Sequence, residues 1–193
     1  MAIKLRRAVK TVASASGLAV ISLTSYLAYI SLTGNFDTLV AGEVYRSAQV
    51  FGTDLEDYVA QHGIKSVLNL RGADPNSSWY PAEVAESKRL GLVHADFPMS
   101  ASIPLSPEQV FALIDVMRSL PKPMLIHCRN GSDRTGLASA LYLAAISGAD
   151  EETAEGQLSL YYGHFAVPYL SEAYPMDETW EVMEAVLGFP NSW

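Results

Sequence analysis

The chain has 193 residues, of which 49% are hydrophobic and 18% charged, a composition that predicts one globular domain with a sizeable core. All 21 acidic residues but only nine of the 13 basic residues follow Lys10, which gives this part of the chain a formal charge of −12. That charge excludes a general nucleic-acid binder, because contacts to phosphate dominate affinity for nucleic acids. A single cysteine also excludes an intramolecular disulfide framework.

Residues 1–36 form a segment of their own. Residues 11–36 contain no charged side chain and follow a basic cluster that consists of Lys4, Arg6, Arg7 and Lys10. This pattern is typical of a membrane anchor helix, and a cleaved signal peptide is the alternative. We expect the uncleaved anchor, because residues 25–34 offer no small-x-small cleavage site. The basic cluster then stays cytoplasmic, which in a bacterium predicts a single-pass inner-membrane protein whose domain, residues 37–193, lies in the periplasm.

Hydrophobic periodicity and turn residues predict strands alternating with helices along the rest of the chain. Strands are predicted at residues 42–49, 64–72, 92–99 and 123–128. Helices are predicted at residues 53–63, 80–91, 106–120, 134–147, 150–165 and 177–188. Ser106 and Gln109 have capping-box spacing, Gly148 ends the fourth helix, and Asp150 and Asp177 are the expected N-caps of the last two.

This alternation predicts an α/β fold with a mainly parallel sheet flanked by helices on both faces. Ligands of such sheets bind beyond the carboxyl ends of the strands. The polar residues expected at that edge, one or two for each strand, are Arg46, Arg71, Asp96, His127 and Cys128. The order of the elements alone therefore predicts a polar pocket.

Cys128 is the only cysteine, and it lies at the end of a buried strand with a helix starting about Arg134 or Thr135. Gly131 permits the intervening loop to curl, so that backbone N–H groups and the helix dipole together bind phosphate. Arg134 adds a fork of donors for two phosphate oxygens. The same positive field stabilises a thiolate, which predicts phosphomonoester hydrolysis through a cysteinyl-phosphate intermediate.

These residues resemble the cysteine-dependent, dual-specificity-like protein tyrosine phosphatase superfamily. The signature His-Cys-x5-Arg-[Ser/Thr] and its longer form HCxxGxDRTG are both complete, at His127, Cys128, Gly131, Asp133, Arg134, Thr135 and Gly136. The resemblance extends over residues 42–165 and includes the stretches VYRSAQ and VLNLRG. It implies a dual-specificity phosphatase-like fold for the domain and an enzyme that needs no cofactor.

The resemblance also implies a role for each matched residue. Cys128 is the nucleophile, and Arg134 binds phosphate and stabilises the transition state. His127 orients the loop and tunes the thiolate, while Thr135 donates its hydroxyl to the departing sulfur. The phosphate cradle is implied to be the backbone of Arg129, Asn130, Gly131, Ser132, Asp133 and Arg134.

The general acid is open at this point. Relatives place an aspartate on the loop after the third strand, but residues 97–107 contain no carboxylate. Asp133 within the phosphate loop and Asp96 just before the carboxylate-free loop are the candidates, and Glu83 is a weaker one. Asp133 has a second interpretation, as a helix cap or a partner of Arg134.

Other polar and aromatic residues carry two interpretations each. Arg46 and Arg71 either contact a second anionic group of the substrate or form ion pairs at the edge of the core. Gln157 could position the hydrolytic water, although no motif supports that role. Packing is favoured over pocket lining for an aromatic patch that consists of Tyr161, Tyr162, His164 and Phe165.

We therefore expect a membrane-anchored phosphatase of the Cys-x5-Arg type. A lipid, glycolipid or lipopolysaccharide phosphate is the favoured substrate, because an anchor raises the effective concentration of such groups. A phosphorylated protein is the alternative substrate, and it would make the enzyme a tyrosine or dual-specificity phosphatase. The second alternative function is a phosphate-binding module without turnover. No metal is expected, because the four histidines have no ligand spacing.

Overall fold

The computed structural model describes residues 17, 18 and 20–189. A five-stranded sheet has the order β1-β2-β5-β3-β4, in which only β1 is antiparallel to its neighbour. The strands are β1 (Asp37–Val40), β2 (Val44–Ser47), β3 (Ser66–Asn69), β4 (Val93–Asp96) and β5 (Met124–His127). The expected α/β fold is confirmed, and β1 is an addition that makes the sheet mixed.

The helices are α1, described at residues 17, 18 and 20–32, α2 (Asp54–His62), α3 (Trp79–Arg89), α4 (Pro107–Ser119), α5 (Asp133–Tyr142), α6 (Glu151–Glu155) and α7 (Tyr174–Leu187). A π-helical turn, Leu143–Ser147, extends α5 to Gly148. Both halves of the capping box at Ser106 and Gln109 are present.

Two helix predictions were wrong. Residues 150–165 form the short α6, capped by Asp150 as expected, and then only a 3-10 turn at Leu160–Tyr162. Asp177 does not cap α7, because this helix starts three residues earlier, with Pro175 in its first turn. The side chain of Asp177 accepts a hydrogen bond from His164 instead.

The sheet separates two apolar clusters, as the two-residue period of strands requires. Met124 and Ile126 point into the larger cluster, which α4, α5 and α7 cover. Leu125 points the other way, into a smaller cluster that includes Leu55 of α2. The two faces of β5 are therefore both buried, which explains its continuous apolar run.

The register of the parallel strands aligns the residues of the predicted polar edge. His127 at the end of β5 is aligned with Ser47 of β2 on one side and Asn69 of β3 on the other. Asn69 is in turn aligned with Asp96 of β4. All four parallel strands thus end at one edge of the sheet, and the segments that follow them meet there.

Helix α1 lies against the folded domain. The Tyr26 hydroxyl donates to the Tyr161 carbonyl at 2.5 Å, and the Ala48 amide donates to the Gly34 carbonyl at 2.7 Å. Among the described residues, no helix combines the length and hydrophobicity that crossing a bilayer requires. The predicted anchor includes residues 1–16 and Ala19, which lie outside the described residues, and it stays a prediction.

Candidate active site

The loop between β5 and α5 starts at the buried Cys128 and ends where Ser132 precedes α5. Gly131 has a φ of +72°, and a Cβ atom there would lie 2.7 Å from the Ala48 nitrogen and 2.8 Å from the Ser47 carbonyl carbon. Only glycine fits such a conformation and such a close backbone approach. The loop, hereafter the phosphate loop, is therefore packed directly on the turn after β2.

Three successive carbonyls of the phosphate loop accept hydrogen bonds from residues outside the loop. The Gln49 amide donates to the Arg129 carbonyl at 3.2 Å, Asn35 Nδ2 donates to the Asn130 carbonyl at 3.0 Å, and an Arg46 nitrogen donates to the Gly131 carbonyl at 2.7 Å. In a planar trans peptide the N–H points opposite to the C=O. The amides that follow these carbonyls therefore face the inner side of the loop, where a phosphate binds at a helix N-terminus.

Two side chains of the motif have polar atoms that stay available to a substrate. Arg134 Nε and Thr135 Oγ1 are buried, and within the described part of the chain neither has a hydrogen-bond partner. Arg134 donates a hydrogen bond from Nη1 to the Met99 carbonyl at 3.3 Å. Since buried polar groups are normally paired, these atoms suit the phosphate and sulfur contacts that the motif implies.

His127 is fixed by a buried carboxylate. His127 Nε2 and His94 Nε2 lie 3.0 and 2.8 Å from the same oxygen of Glu83, and Gln49 donates to the other oxygen. Burial raises the pKa of Glu83, but the hydrogen bonds from His127 and His94 outweigh burial and lower it to about 2. Glu83 is thus an anion that orients His127, and it is not placed to act as an acid.

Asp96 is held at the edge of the sheet. Its two oxygens accept from Asn69 Nδ2 at 2.7 Å and from the Tyr80 hydroxyl at 2.5 Å. The hydrogen bond to Asp96 and burial raise the pKa of Tyr80 to about 12, so that hydroxyl stays a donor. Because β3 separates β4 from β5, the backbone of Asp96 lies roughly 10 Å from β5, the strand that Cys128 follows. This position argues against Asp96 as the acid.

Asp133 lies in the first turn of α5, next to Arg134, and both line an open cavity at the phosphate loop. One oxygen of Asp133 lies 2.8 Å from His164 Nδ1, and Asp177 lies 2.9 Å from His164 Nε2. Asp133 is therefore the aspartate that the fold places at the phosphate loop.

Arg46 and Arg71, which carried two interpretations each, differ in position. Arg46 is fully buried, and its Nη1 donates to the Gln157 side chain at 2.6 Å. Burial lowers its pKa to about 10. Its guanidinium donates to the Gly131 carbonyl and stacks on Tyr162 at 3.6 Å, and a substrate contact of Arg46 stays a prediction.

Arg71 lies near the phosphate loop. It stacks on Trp79 at 3.5 Å and donates to the Gln49 side chain at 2.6 Å. Burial and then the charges of Arg134 and Arg129 lower its pKa, so the three guanidinium groups share one region. Arg129 itself is exposed. This cationic cluster suits a substrate with more than one anionic group.

The aromatic patch divides along its members. Tyr162 packs under Arg46 and donates to Asp37 at 3.0 Å, whereas Tyr161 and Phe165 are largely exposed. The side-chain oxygen of Gln157 accepts a hydrogen bond from Arg46, which fixes the orientation of this side chain.

Sequence reasoning missed Asn35, whose amide joins the loop before β1 to the phosphate loop and to the Tyr162 carbonyl. Its place in the turn-forming stretch TGN was the available signal.

Solved structures with this fold include TpbA from P. aeruginosa, which is 20% identical, has a TM-score of 0.56 and is matched over 78% of this chain and 91% of its own. The core catalytic domain of the PP-IP phosphatase Siw14 from S. cerevisiae is 19% identical over 82% and 96%, with a TM-score of 0.57. A putative phosphatase from Shewanella putrefaciens is 17% identical over 80% and 93%, also at 0.57. No curated protein matches the chain.

The fold and the phosphate loop together define a cysteine-based phosphatase of the protein tyrosine and dual-specificity superfamily. Residues 35–177 match the family described as the Swiss Army Knife protein, DSP-PTPase phosphatase domain. The chain belongs to this family. In the described part of the chain, no group of three or more acidic, histidine or cysteine side chains is placed to hold a metal ion.

The buried His164 should make stability depend on pH. Burial lowers its pKa, but hydrogen bonds to Asp133 and Asp177 outweigh burial and raise it from 6.5 to about 9. A raised pKa stabilises the fold fully below pH 6.5, and this contribution of roughly 3 kcal/mol declines as pH rises and is lost above about 9. We expect urea midpoints to fall between pH 6.5 and 9.5, and to fall less in H164Q. An equal fall in both proteins would contradict the assignment.

Proposed function

We propose that this phosphatase removes phosphate from a membrane lipid or lipopolysaccharide. One observation carries the proposal: a cavity of about 610 Å³ lies between α1 and the phosphate loop. Arg129 and Asn130 of the loop line one side, and Leu27, Ile30 and Leu32 of α1 line the other. An amphiphilic phosphate ester matches such a boundary between polar and apolar walls.

The outer surface of α1 supports the same substrate class. The large apolar side chains of this helix that are exposed and do not line the cavity are Leu18, Val20, Ile21, Leu23 and Tyr29. Exposed apolar surface of this extent is typical of a membrane or protein contact. A membrane on α1 would lie beside the phosphate loop and deliver phosphorylated head groups to it. The predicted inner-membrane anchor and periplasmic location belong to this proposal.

Contacts on the domain side keep α1 in this place. Tyr26 bonds to the carbonyl of Tyr161, and Asn35, just after the helix, bonds to the phosphate loop. The cavity therefore depends on the same residues that brace the loop. Cys128, Arg134 and Thr135 argue for turnover over phosphate binding alone, because binding needs no nucleophile.

A phosphorylated protein is the second candidate. A variant of TpbA has been solved in complex with pTyr, and it shares 20% identity with this chain. Arg71, which lies near the phosphate loop, stacks on Trp79, and this pair supplies an aromatic wall that a phosphotyrosine ring could also use. The two candidates differ in the part of the substrate that the enzyme must recognise.

The ratio of kcat/KM values for a lipid and a peptide separates them. With the full chain in detergent, we expect at least about a tenfold preference for phosphatidic acid or a lipid A phosphate over a phosphotyrosine peptide, as tenfold corresponds to about 1.4 kcal/mol of binding. C128S is the blank. A preference for the peptide of that size would overturn the lipid proposal and favour the phosphoprotein.

The wall of the cavity provides matched variants. Leu27→Gln changes a cavity-lining residue of α1, and Val20→Gln changes an exposed apolar residue of the same helix outside the cavity. Only L27Q should lower the ratio of kcat/KM for the lipid to kcat/KM for the peptide. In detergent no membrane contacts the outer surface of α1, so a change at Val20 should affect neither substrate. Equal effects of the two variants would count against the cavity as the lipid site.

A further inference from the structure

His164 joins the phosphate loop to α7. Its side chain is almost fully buried, with only 2% exposed, while that of Asp133 is 26% exposed. Nδ1 of His164 lies 2.8 Å from Asp133 Oδ1, and Nε2 lies 2.9 Å from Asp177 Oδ2. With both ring nitrogens facing carboxylates, the ring acts as a double donor, and one oxygen of Asp133 stays on the cavity side.

The orientation of Asp133 matters because Arg134 is its chain neighbour. A carboxylate that was not held could pair with this arginine and occupy the donors that bind phosphate. Instead, among the described residues, the side chain of Arg134 donates one hydrogen bond, to the Met99 carbonyl, and its Nε has no hydrogen-bond partner. The hydrogen bond from His164 therefore holds the Asp133 carboxyl group away from its chain neighbour Arg134.

We infer that His164 is a positioning residue for Asp133, the general acid and base of the phosphatase. The inference rests on the cysteine-based reaction and on the predicted role of Asp133, not on the lipid substrate. His164 holds Asp133 Oδ1, so Oδ2 is the atom that exchanges a proton with the substrate. The imidazolium also compensates the negative charge that Asp133 gains when it gives that proton away.

The reaction has two steps, transfer of the phosphoryl group to Cys128 and hydrolysis of the intermediate. The Cys128 thiolate forms the S–P bond while the ester P–O bond breaks, and the leaving oxygen takes the proton of Asp133 Oδ2. Water then forms a new P–O bond as the S–P bond breaks, and the electron pair returns to the sulfur. The proton of that water passes to Asp133, which restores the starting state and releases phosphate.

The charged groups around His164 come from two helices and one loop. Asp133 faces it from α5 and Asp177 from α7, and both raise its pKa to about 9 against the effect of burial. Arg134 and Glu172 line the cavity onto which Asp133 opens. His164 is therefore cationic at neutral pH.

Leaving-group dependence tests the inference, because p-nitrophenol leaves without a proton and phenol does not. With the full chain, we expect both D133N and H164Q to lower kcat/KM for phenyl phosphate at least about tenfold more than for p-nitrophenyl phosphate. In the D133N background, H164Q should add no further change in this ratio, since the two residues act as one unit. His62→Gln is the matched control, because His62 stacks on Phe36 and Tyr45 away from the phosphate loop.

A folded H164Q with the wild-type ratio would overturn the inference, as would independent effects of the two changes in the double variant. A wild-type ratio in D133N would overturn it as well, by removing the acid that His164 positions. If H164Q does not fold, D177N serves instead, because it alters the second hydrogen bond of the same ring, and it should shift the ratio in the same direction. These aryl phosphates carry no lipid, so failure of the lipid proposal leaves this test unaffected.

Discussion

Replacing Cys128 by serine should reduce kcat at least about 10⁴-fold while the protein still binds phosphate. A serine hydroxyl is not ionised near neutral pH, so the amides and the helix dipole that favour a thiolate have no anion to stabilise. The loss of a nucleophile in other covalent enzymes is of this size or larger. The fold should survive, because the side chain keeps its shape at the edge of the larger apolar cluster.

Rapid quenching with a ³²P-labelled substrate measures the intermediate directly. The wild-type chain should carry one acid-trapped label for each active site, and C128S should carry none. Phosphate binding, followed by calorimetry, should stay within about threefold in C128S, since the amides that bind phosphate are unchanged. Retention of more than about 1% of kcat by a folded C128S would contradict a cysteinyl-phosphate mechanism.

Most of the fold follows from local sequence patterns. Each parallel strand is a short apolar run with polar residues at its end, and each long helix has a recognisable start or stop, such as the capping box at Ser106. The strand β1 lacks these signals, since its burial is partial and it pairs at the sheet edge. The prediction of one helix over residues 150–165 was wrong because Gly156 and Gly163 interrupt the helix.

The centre of the site was predictable because it lies in one continuous stretch. Cys128, Gly131 and Arg134 are fixed by the curl of one loop into one helix, and spacing along the chain expresses that geometry. The two interpretations of Arg46 stayed open because an arginine at a strand end can point to solvent or under the loop. Burial of its charge depends on acceptors from Gly131 and Gln157, which come from distant parts of the sequence.

The supporting residues were not predictable for the same reason. Glu83 orients His127 across 44 positions, and Asn35 reaches the phosphate loop across 95 positions. His164 meets Asp133 only because residues 156–173 fold back over the start of α5. An aromatic cluster in the sequence indicated packing, whereas the pairing of this histidine with two carboxylates is a tertiary feature.

Replacing Arg134 by lysine should reduce kcat/KM about 10³-fold although the charge is retained. Removal of a single preorganised donor to a developing charge typically costs 10²–10³-fold, and lysine loses the planar fork that contacts two oxygens. The hydrogen bond to the Met99 carbonyl holds this fork at the loop in advance, and its buried Nε has no partner among the described residues, whereas a lysine would have to reorganise. Phosphate binding should weaken at least about tenfold, in contrast to C128S.

Steady-state kinetics and calorimetry on the same samples check this prediction. Arg89→Lys is the matched control, because Arg89 is an exposed residue of α3 that pairs with Glu86 and Glu56. R89K should keep wild-type kcat/KM, and the melting temperatures of both variants report on folding. A folded R134K within tenfold of wild type would mean that charge alone suffices. Catalysis would then rest on the backbone amides and the helix dipole, with the guanidinium only neutralising the phosphate.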